Sequence, residues 1–317
     1  MSGGPVTSPT PPAVVAVVVH HRDAAATVRC MGGVDAQVPV RPAGLLVCNA
    51  YPDAEGSWGR VAQIAAERQW RVIDPGRNLG FAGGANLGLT AAAAAGAGWV
   101  WLLNPDTEPA PDALAALMAA MRQDVSLAAA GSQLGSDPPG GRLRLWLGRA
   151  SERFEGPWDF VSGASVLLRL DAVSAAGGFD ERLFLYWEDV ELCLRLRKAG
   201  YTVAVVPSSH VRHARGGSLT PGSADLRDYY SVRNALLVVG KHAPWAMPAA
   251  AVAVAARMTL AKLARGEGAR LRAAWRGWWD GVRGIGGPAP AHVWGHELPA
   301  GASPDSPGHG IGPTARD

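Results

Sequence analysis

Trp99-Val100-Trp101-Leu102-Leu103-Asn104-Pro105-Asp106-Thr107 is an apolar run that breaks abruptly into a polar turn. An unbroken apolar run of this length fits a strand buried on both faces, as in a parallel sheet. Upstream, Val14 to Val19 stops at His20-His21-Arg22, Leu45 to Cys48 stops at Asn49, and Arg71-Val72-Ile73 is a shorter instance. Between these strands lie a weakly patterned segment that fits a short helix, helical apolar spacing from Arg60 to Gln69, and a helix-prone stretch from Leu87 to Ala95. Pro111-Asp112 opens a further helix, proline being suited to a first turn. Strand, polar break and helix, repeated through about residue 130, predict a mostly parallel α/β sheet. In such sheets the ligand-binding groups gather just past the carboxyl ends of the strands, where these polar residues stand.

The second half is less regular. Residues 135–157, rich in Gly, Pro and Arg, predict a mobile surface loop, followed by a strand from Ala164 to Leu168. Trp187-Glu188-Asp189 opens a helix that runs to about Ala199 and is closed by Gly200. A strand from Thr202 to Val206 leads through Pro207 to His210-Val211-Arg212-His213, and Asp225 to Lys241 reads as a helix. These elements give one domain over residues 13–243, a helical extension over 244–285, and disordered tails at 1–12 and 286–317 by composition.

Of the 317 residues 48% are apolar, enough for a large core, and 30 basic residues against 27 acidic ones leave a net charge of +3. That balance excludes a nucleic-acid binder, whose basic residues would dominate. Cys30, Cys48 and Cys193 lie far apart without metal-ligand spacing, which fits a reduced, cytoplasmic protein. The apolar runs Ala13–Val19 and Ala246–Ala256 are both too short to span a membrane, and no signal peptide is visible. From Arg257 to Arg283 there are seven Lys/Arg and two acids, with Trp275, Trp278 and Trp279 on one helical face. This suits a helix lying on an anionic membrane surface, and equally a helix whose tryptophans pack on the rest of the protein.

Four constellations carry chemistry. Asp106, at a strand end in an Asn-Pro turn, can ligate a divalent cation that bridges phosphates; the same residues also make an ordinary turn. Glu188, Asp189 and Glu191 complement a helix N-terminus, and Glu191 can pair with Arg195. The apolar Leu183-Phe184-Leu185-Tyr186-Trp187 beside them would desolvate a carboxylate and raise its pKa toward that of a usable base. The glycines between Gly76 and Gly88 can cradle a phosphate at a helix start, but match neither the P-loop nor G-x-G-x-x-G, which argues against a nicotinamide enzyme. His20-His21 and the pair His210 and His213 fit solvated loop residues as well as metal ligands.

Taken in order, several segments resemble the family 2 glycosyltransferases, in their bacterial rhamnosyltransferase-like branch, over roughly residues 14–243. They are Arg77-Asn78-Leu79-Gly80-Phe81-Ala82-Gly83-Gly84, Leu103-Asn104-Pro105-Asp106-Thr107, Val161-Ser162-Gly163-Ala164, Gly177-Gly178-Phe179-Asp180-Glu181, and Phe184 through Arg195. Tyr229-Tyr230, Arg233-Asn234 and Lys241-His242-Ala243-Pro244 look like the family's later helix. The resemblance implies a GT-A fold and inverting transfer of a hexose, rhamnose-like or other. The donor would be a nucleoside-diphosphate sugar, and the acceptor a hydroxyl of a glycan or lipid-linked molecule in cell-envelope synthesis. It also implies Mg²⁺ or Mn²⁺ held by Asp106 and His213, with Asn104 in place of the family's first acid. Asp189 takes the position of the catalytic base, with Trp187 and Glu188 beside it. His20, Asn49, Asp53, Arg77, Asn78, Gly84, Asn104 and Gly163 fall at donor-side positions.

Two departures leave the donor nucleotide open. Cys48-Asn49-Ala50-Tyr51-Pro52-Asp53 stands where the family has Asp-Asn-x-Ser-x-Asp, and Val19-His20-His21-Arg22 stands for Thr-Tyr-Asn-Arg. They also keep in view a non-catalytic nucleotide-sugar-binding or assembly protein of the same fold.

Overall fold

The computed structural model describes residues 13–49, 56–213 and 223–290. The strands are β1 (Val14–His20), β2 (Ala43–Cys48), β3 (Arg71–Ile73), β4 (Trp99–Leu103), β5 (Thr107–Pro109), β6 (Leu127–Gln133), β7 (Gly140–Arg144), β8 (Arg149–Arg153), β9 (Phe160–Val161), β10 (Ser165–Arg169) and β11 (Thr202–His213). The helices are α1 (Ala24–Asp35), α2 (Ser57–Glu67), α3 (Gly80–Ala94), α4 (Ala113–Gln123), α5 (Leu170–Ala175), α6 (Glu188–Lys198), α7 (Ser223–His242), α8 (Met247–Ala264) and α9 (Gly268–Val282).

Eight strands form one sheet in the order β3-β2-β1-β4-β10-β6-β11-β5, and β8-β7-β9 form a second, smaller one. β3, β2, β1 and β4 run parallel, whereas β10 is antiparallel to both β4 and β6. All seven residues of β1 are buried. Val15, Val17 and Val19 face one core, with α3 and α6, while Val14, Ala16 and Val18 face another, with α1 and α4. Burial on both faces is why these strands read as continuous apolar runs rather than alternating ones.

The structure moves several expected boundaries. The helix expected from Leu87 begins at Gly80, so the glycines that suggested a phosphate loop lie inside α3. A Cβ at Gly84 would come within 2.8 Å of Val19 Cγ1, and one at Gly88 would overlap Val17. The glycines therefore let α3 settle directly on β1. Residues 135–157 are not a loop: β7 and β8 form a hairpin whose Leu143 and Ala150 pack on the core. β6 lies outside every expected strand, because its Leu-Ala-Ala-Ala-Gly-Ser-Gln lacks the β-branched signal. β11 passes through Pro207 with a register shift and carries on to His213.

The C-terminal helices pack on α7. Trp278 donates from Nε1 to Ala251 O at 2.9 Å, while Trp275 and Trp279 stay exposed, so the three tryptophans do not share one free face. Pro244–Ala264 is long and apolar enough to cross a membrane by length and composition, a longer run than Ala246–Ala256 suggested. Its inner residues Ala250 and Val254 nonetheless pack with Leu236 and Val239 of α7. Residues 286–290, assigned to a tail by composition, also hold contacts: Ala289 N donates to the Tyr230 hydroxyl at 2.7 Å.

Candidate active site

β10 is antiparallel to β4, so its amino end meets the carboxyl end of β4. Ala164 O accepts from Asn104 N at 2.9 Å there, joining the turn after β4 to the turn before β10. The Asn104 carbonyl also accepts from the Thr107 hydroxyl at 2.7 Å, which closes Asn104-Pro105-Asp106-Thr107 into a tight turn. His213, at the end of β11, pairs in register with Thr107. Its Nε2 lies 3.3 Å from Asp106 Oδ1, and its Nδ1 lies 2.8 Å from Asp137 Oδ2. Burial pulls the His213 imidazole down, but the carboxylates of Asp106 and Asp137 outweigh it and hold it above its ordinary value. His210, three residues earlier, is exposed, so the two histidines do not act as a pair.

Asp137 is absent from the sequence expectations. Gly135-Ser136-Asp137-Pro138 reads as an ordinary turn, and nothing local signals that its carboxylate is buried against a histidine. A carboxylate on one ring nitrogen fixes the tautomer and leaves the other free to ligate, the usual second-layer arrangement of a metal histidine. Among the described residues no cluster of three or more His, Cys, Asp or Glu has metal-holding geometry. Among the described residues, Asp106 and His213 are the two side chains here that could ligate a cation. That fits a hard divalent cation, which takes one or two protein ligands and completes its shell with phosphate oxygens and water.

On the other side of the turn, Asp189 lies in the first turn of α6. Its Oδ2 accepts from Gly163 N at 2.9 Å, and its Oδ1 from Val190 N at 2.7 Å. Burial raises the Asp189 carboxyl above its ordinary value despite these N–H donors. Glu188 is 7% exposed, and its Oε2 has no hydrogen-bond partner among the described residues. Burial and the neighbouring Asp189 charge push the Glu188 carboxyl well up. Trp187 caps α6 with a left-handed backbone, φ 73°.

Of the residues expected on the donor side, His20 and Asn49 stand at the carboxyl ends of β1 and β2. His20 is buried, hydrogen-bonds the Thr27 hydroxyl at 2.8 Å through Nδ1, and stacks on Trp58 at 5.9 Å. Asn49 accepts from Leu79 N at 2.8 Å, and Asn78 accepts from Gly80 N at 2.9 Å, so both set the start of α3. Arg77 between them is exposed. Gly84 faces Val19 from within α3. Asp53 lies outside the described residues. Asn104 and Gly163 join the two acidic centres through backbone bonds, one from Asn104 to Ala164 and one from Gly163 to Asp189.

This architecture and its acid-lined sheet edge define a class. A family model described as Glycosyltransferase like family 2 matches residues 11–227, and the chain belongs to that family. Within it, the N-acetylglucosaminyl-diphospho-decaprenol L-rhamnosyltransferase of Mycobacterium tuberculosis is 28% identical over 243 residues, covering 65% of this chain and 77% of that one. The galactofuranosyltransferase GlfT1 of the same organism is 35% identical over 137 residues, covering 39% of this chain and 45% of that one. Among solved structures, the mannosyltransferase PcManGT of Pyrobaculum calidifontis, in complex with GDP-Man and Mn²⁺, superposes with a TM-score of 0.53. It is 16% identical and covers 87% of this chain and 86% of that one. GalNAc-T7 with UDP, GalNAc and Mn²⁺ superposes at 0.59 and 14% identity, over 73% of this chain and 48% of that one. The fold is GT-A, and the chain is a glycosyltransferase with rhamnosyl- and galactofuranosyltransferase relatives.

Proposed function

We propose that the protein transfers a hexose, with inversion, from a nucleoside-diphosphate sugar to a hydroxyl of a glycan or lipid-linked acceptor. The observation that carries this reading is the part-buried Asp189 carboxylate, held by Gly163 N–H beside the turn that bears Asp106, with His213 of β11 against Asp106. The acceptor oxygen attacks the anomeric carbon on the face opposite the diphosphate. Asp189 takes the hydroxyl proton as the carbon–oxygen bond to the diphosphate breaks. Asp106 and His213 would hold Mg²⁺ or Mn²⁺, which neutralises charge on the leaving diphosphate. Both solved neighbours carry Mn²⁺ in their descriptions, in keeping with this assignment.

An acceptor carried on a membrane lipid is supported by the decaprenol-linked activity in the name of the M. tuberculosis relative. Peripheral contact with the inner face of the membrane is supported by the exposed apolar residues of the C-terminal helices, Trp245, Val252, Leu260, Leu263, Trp275 and Trp279. The test is release of nucleoside diphosphate from a panel of sugar donors with lipid-linked acceptors, in the wild type and in Asp189→Asn and Asp106→Ala. Full activity in both variants would overturn the mechanism. Tight donor binding without turnover on any acceptor would favour the non-catalytic reading instead.

A further inference from the structure

Just before α6, the chain adopts a conformation that L residues avoid. Phe184, Tyr186 and Trp187 have φ of 63°, 67° and 73°, all left-handed and none of them glycine. Such a backbone persists only where surrounding groups force it, and it tends to occur where geometry is put to use. Glycine at any of these positions would remove the strain. The chain instead keeps three large side chains here and holds the backbone from outside.

The groups that hold it are two consecutive residues of α7. Both Arg233 and Asn234 are fully buried. The Asn234 side-chain amide nitrogen donates to Leu183 O at 2.8 Å, Leu185 O at 2.8 Å and Tyr186 O at 2.6 Å. Two amide hydrogens thus serve three carbonyls that the strained turn directs inward. Arg233 donates through Nη2 to Leu183 O at 3.0 Å and Arg182 O at 3.2 Å, and through Nη1 to Gly287 O at 2.6 Å. Its Nε donates to Asn234 Oδ1 at 2.9 Å, which orients the amide so that its nitrogen faces the turn. Tyr229 and Tyr230 stack against the guanidinium at 5.3 and 4.7 Å. The buried charge is therefore met by rings and carbonyl oxygens, with its planar fork matched to the turn.

On its other side the turn is braced by α3. A Cβ at Gly80 would collide with Phe184 O, and Ala82 N donates to that oxygen at 3.3 Å. The turn is gripped from both sides and continues directly into Trp187, Glu188 and Asp189. Its rigidity therefore sets where the first turn of α6 points the Asp189 carboxylate relative to Gly163.

We infer that Asn234 and Arg233 are positioning residues, which lock the Leu183–Trp187 turn in its left-handed form and thereby aim Asp189 at the acceptor hydroxyl. This rests on the reading of Asp189 as the base. A small displacement of a reacting group lowers the rate of the chemical step on the order of 10- to 100-fold while leaving the donor site in place.

Asn234→Asp tests it, since it keeps the shape but turns a donor into an acceptor facing three carbonyls. The expected result is a kcat at least about tenfold lower with donor KM within about threefold of wild type, together with faster hydrogen exchange at the Glu188–Glu191 amides. Arg233→Lys, which keeps the charge but loses the fork, should move the same readouts in the same direction. If Asn234→Asp yields no folded protein, Arg233→Lys carries the test alone. Wild-type kcat, or unchanged exchange at those amides, in a folded variant overturns the inference, as does a rise in donor KM that accounts for the whole loss. Asp189→Asn is measured alongside. If it keeps full activity the base assignment falls, while the exchange data still report whether the clamp holds the turn.

Discussion

Glu191, two residues after Asp189 in the first turn of α6, has a side chain with no solvent exposure and several basic partners. Arg195 Nε donates to its two oxygens at 2.9 and 2.8 Å, and Lys241 Nζ and His242 Nε2 each approach Oε1 at 2.8 Å. Arg195 also donates to the carbonyls of Ala176 and Gly178, so the ion pair ties α6 both to the turn after α5 and to α7. Burial alone would raise this carboxyl; the bonds from His242, Arg195 and Lys241 overcome that and hold it at about 2, against an ordinary 4.5. At ~1.4 kcal/mol for each pH unit between folded and unfolded values, the network contributes on the order of 3 kcal/mol at neutral pH. Because the folded value is depressed, that contribution is complete above 4.5 and is lost as pH falls toward 2. It falls to roughly 1 kcal/mol at pH 3. Glu191→Gln should therefore unfold in urea with a stability about 3 kcal/mol below wild type at pH 7, and the gap should fall by more than half by pH 3. A gap under about 1 kcal/mol at pH 7, or one that stays flat between pH 7 and pH 3, would refute the reasoning.

Other expectations follow from the same geometry. Asp189→Asn should lower kcat by about 10²–10⁴, and the wild-type kcat should climb with pH through an acid limb above the ordinary aspartate value, since burial raises that carboxyl. A pH profile without that limb would contradict the base role. Asp137→Asn removes the charge that fixes the His213 ring, so Mn²⁺ affinity, followed by electron paramagnetic resonance of the free ion, should weaken by roughly 10- to 100-fold. An unchanged affinity would leave Asp137 with no part in the metal site. Gly88→Ala drives a methyl into Val17 and should cost about 1–3 kcal/mol in thermal or urea unfolding. Gly59→Ala, on α2 with open space around it, should instead stabilise by about 0.5–1 kcal/mol.

What the sequence revealed follows from which forces act locally. Strands β1, β2 and β4 declare themselves because burial on both faces demands unbroken apolar residues, and Asp106 stands out because it follows where the β4 run ends. β6 escapes because its alanines are buried by neighbouring strands, not by any preference of their own. The hairpin of β7 and β8 looked like a loop because its arginines alternate with the few residues that touch the core. The glycines of α3 also let that helix lie against Val17 and Val19, a packing role that their spacing in the sequence does not signal. Asp137 and the Arg233–Asn234 clamp act on groups 76 and about 50 residues away, distances at which no sequence pattern signals contact.

The reversed direction of β10 has a consequence for how this chain can change over time. The Asn104 N to Ala164 O bond joins the two ends of a sixty-residue stretch that supplies β5 and β6 to the main sheet and, between β6 and β10, the whole of the smaller β8-β7-β9 sheet. Asp106 and Gly163, whose N–H donates to Asp189, flank that bond, and the β7–β8 hairpin belongs to the other sheet. Insertions at the turn between β7 and β8 could remodel the surface near Asp189 while Asp106 and Gly163 keep their spacing. New acceptors could then be acquired by altering a peripheral module without disturbing the chemistry.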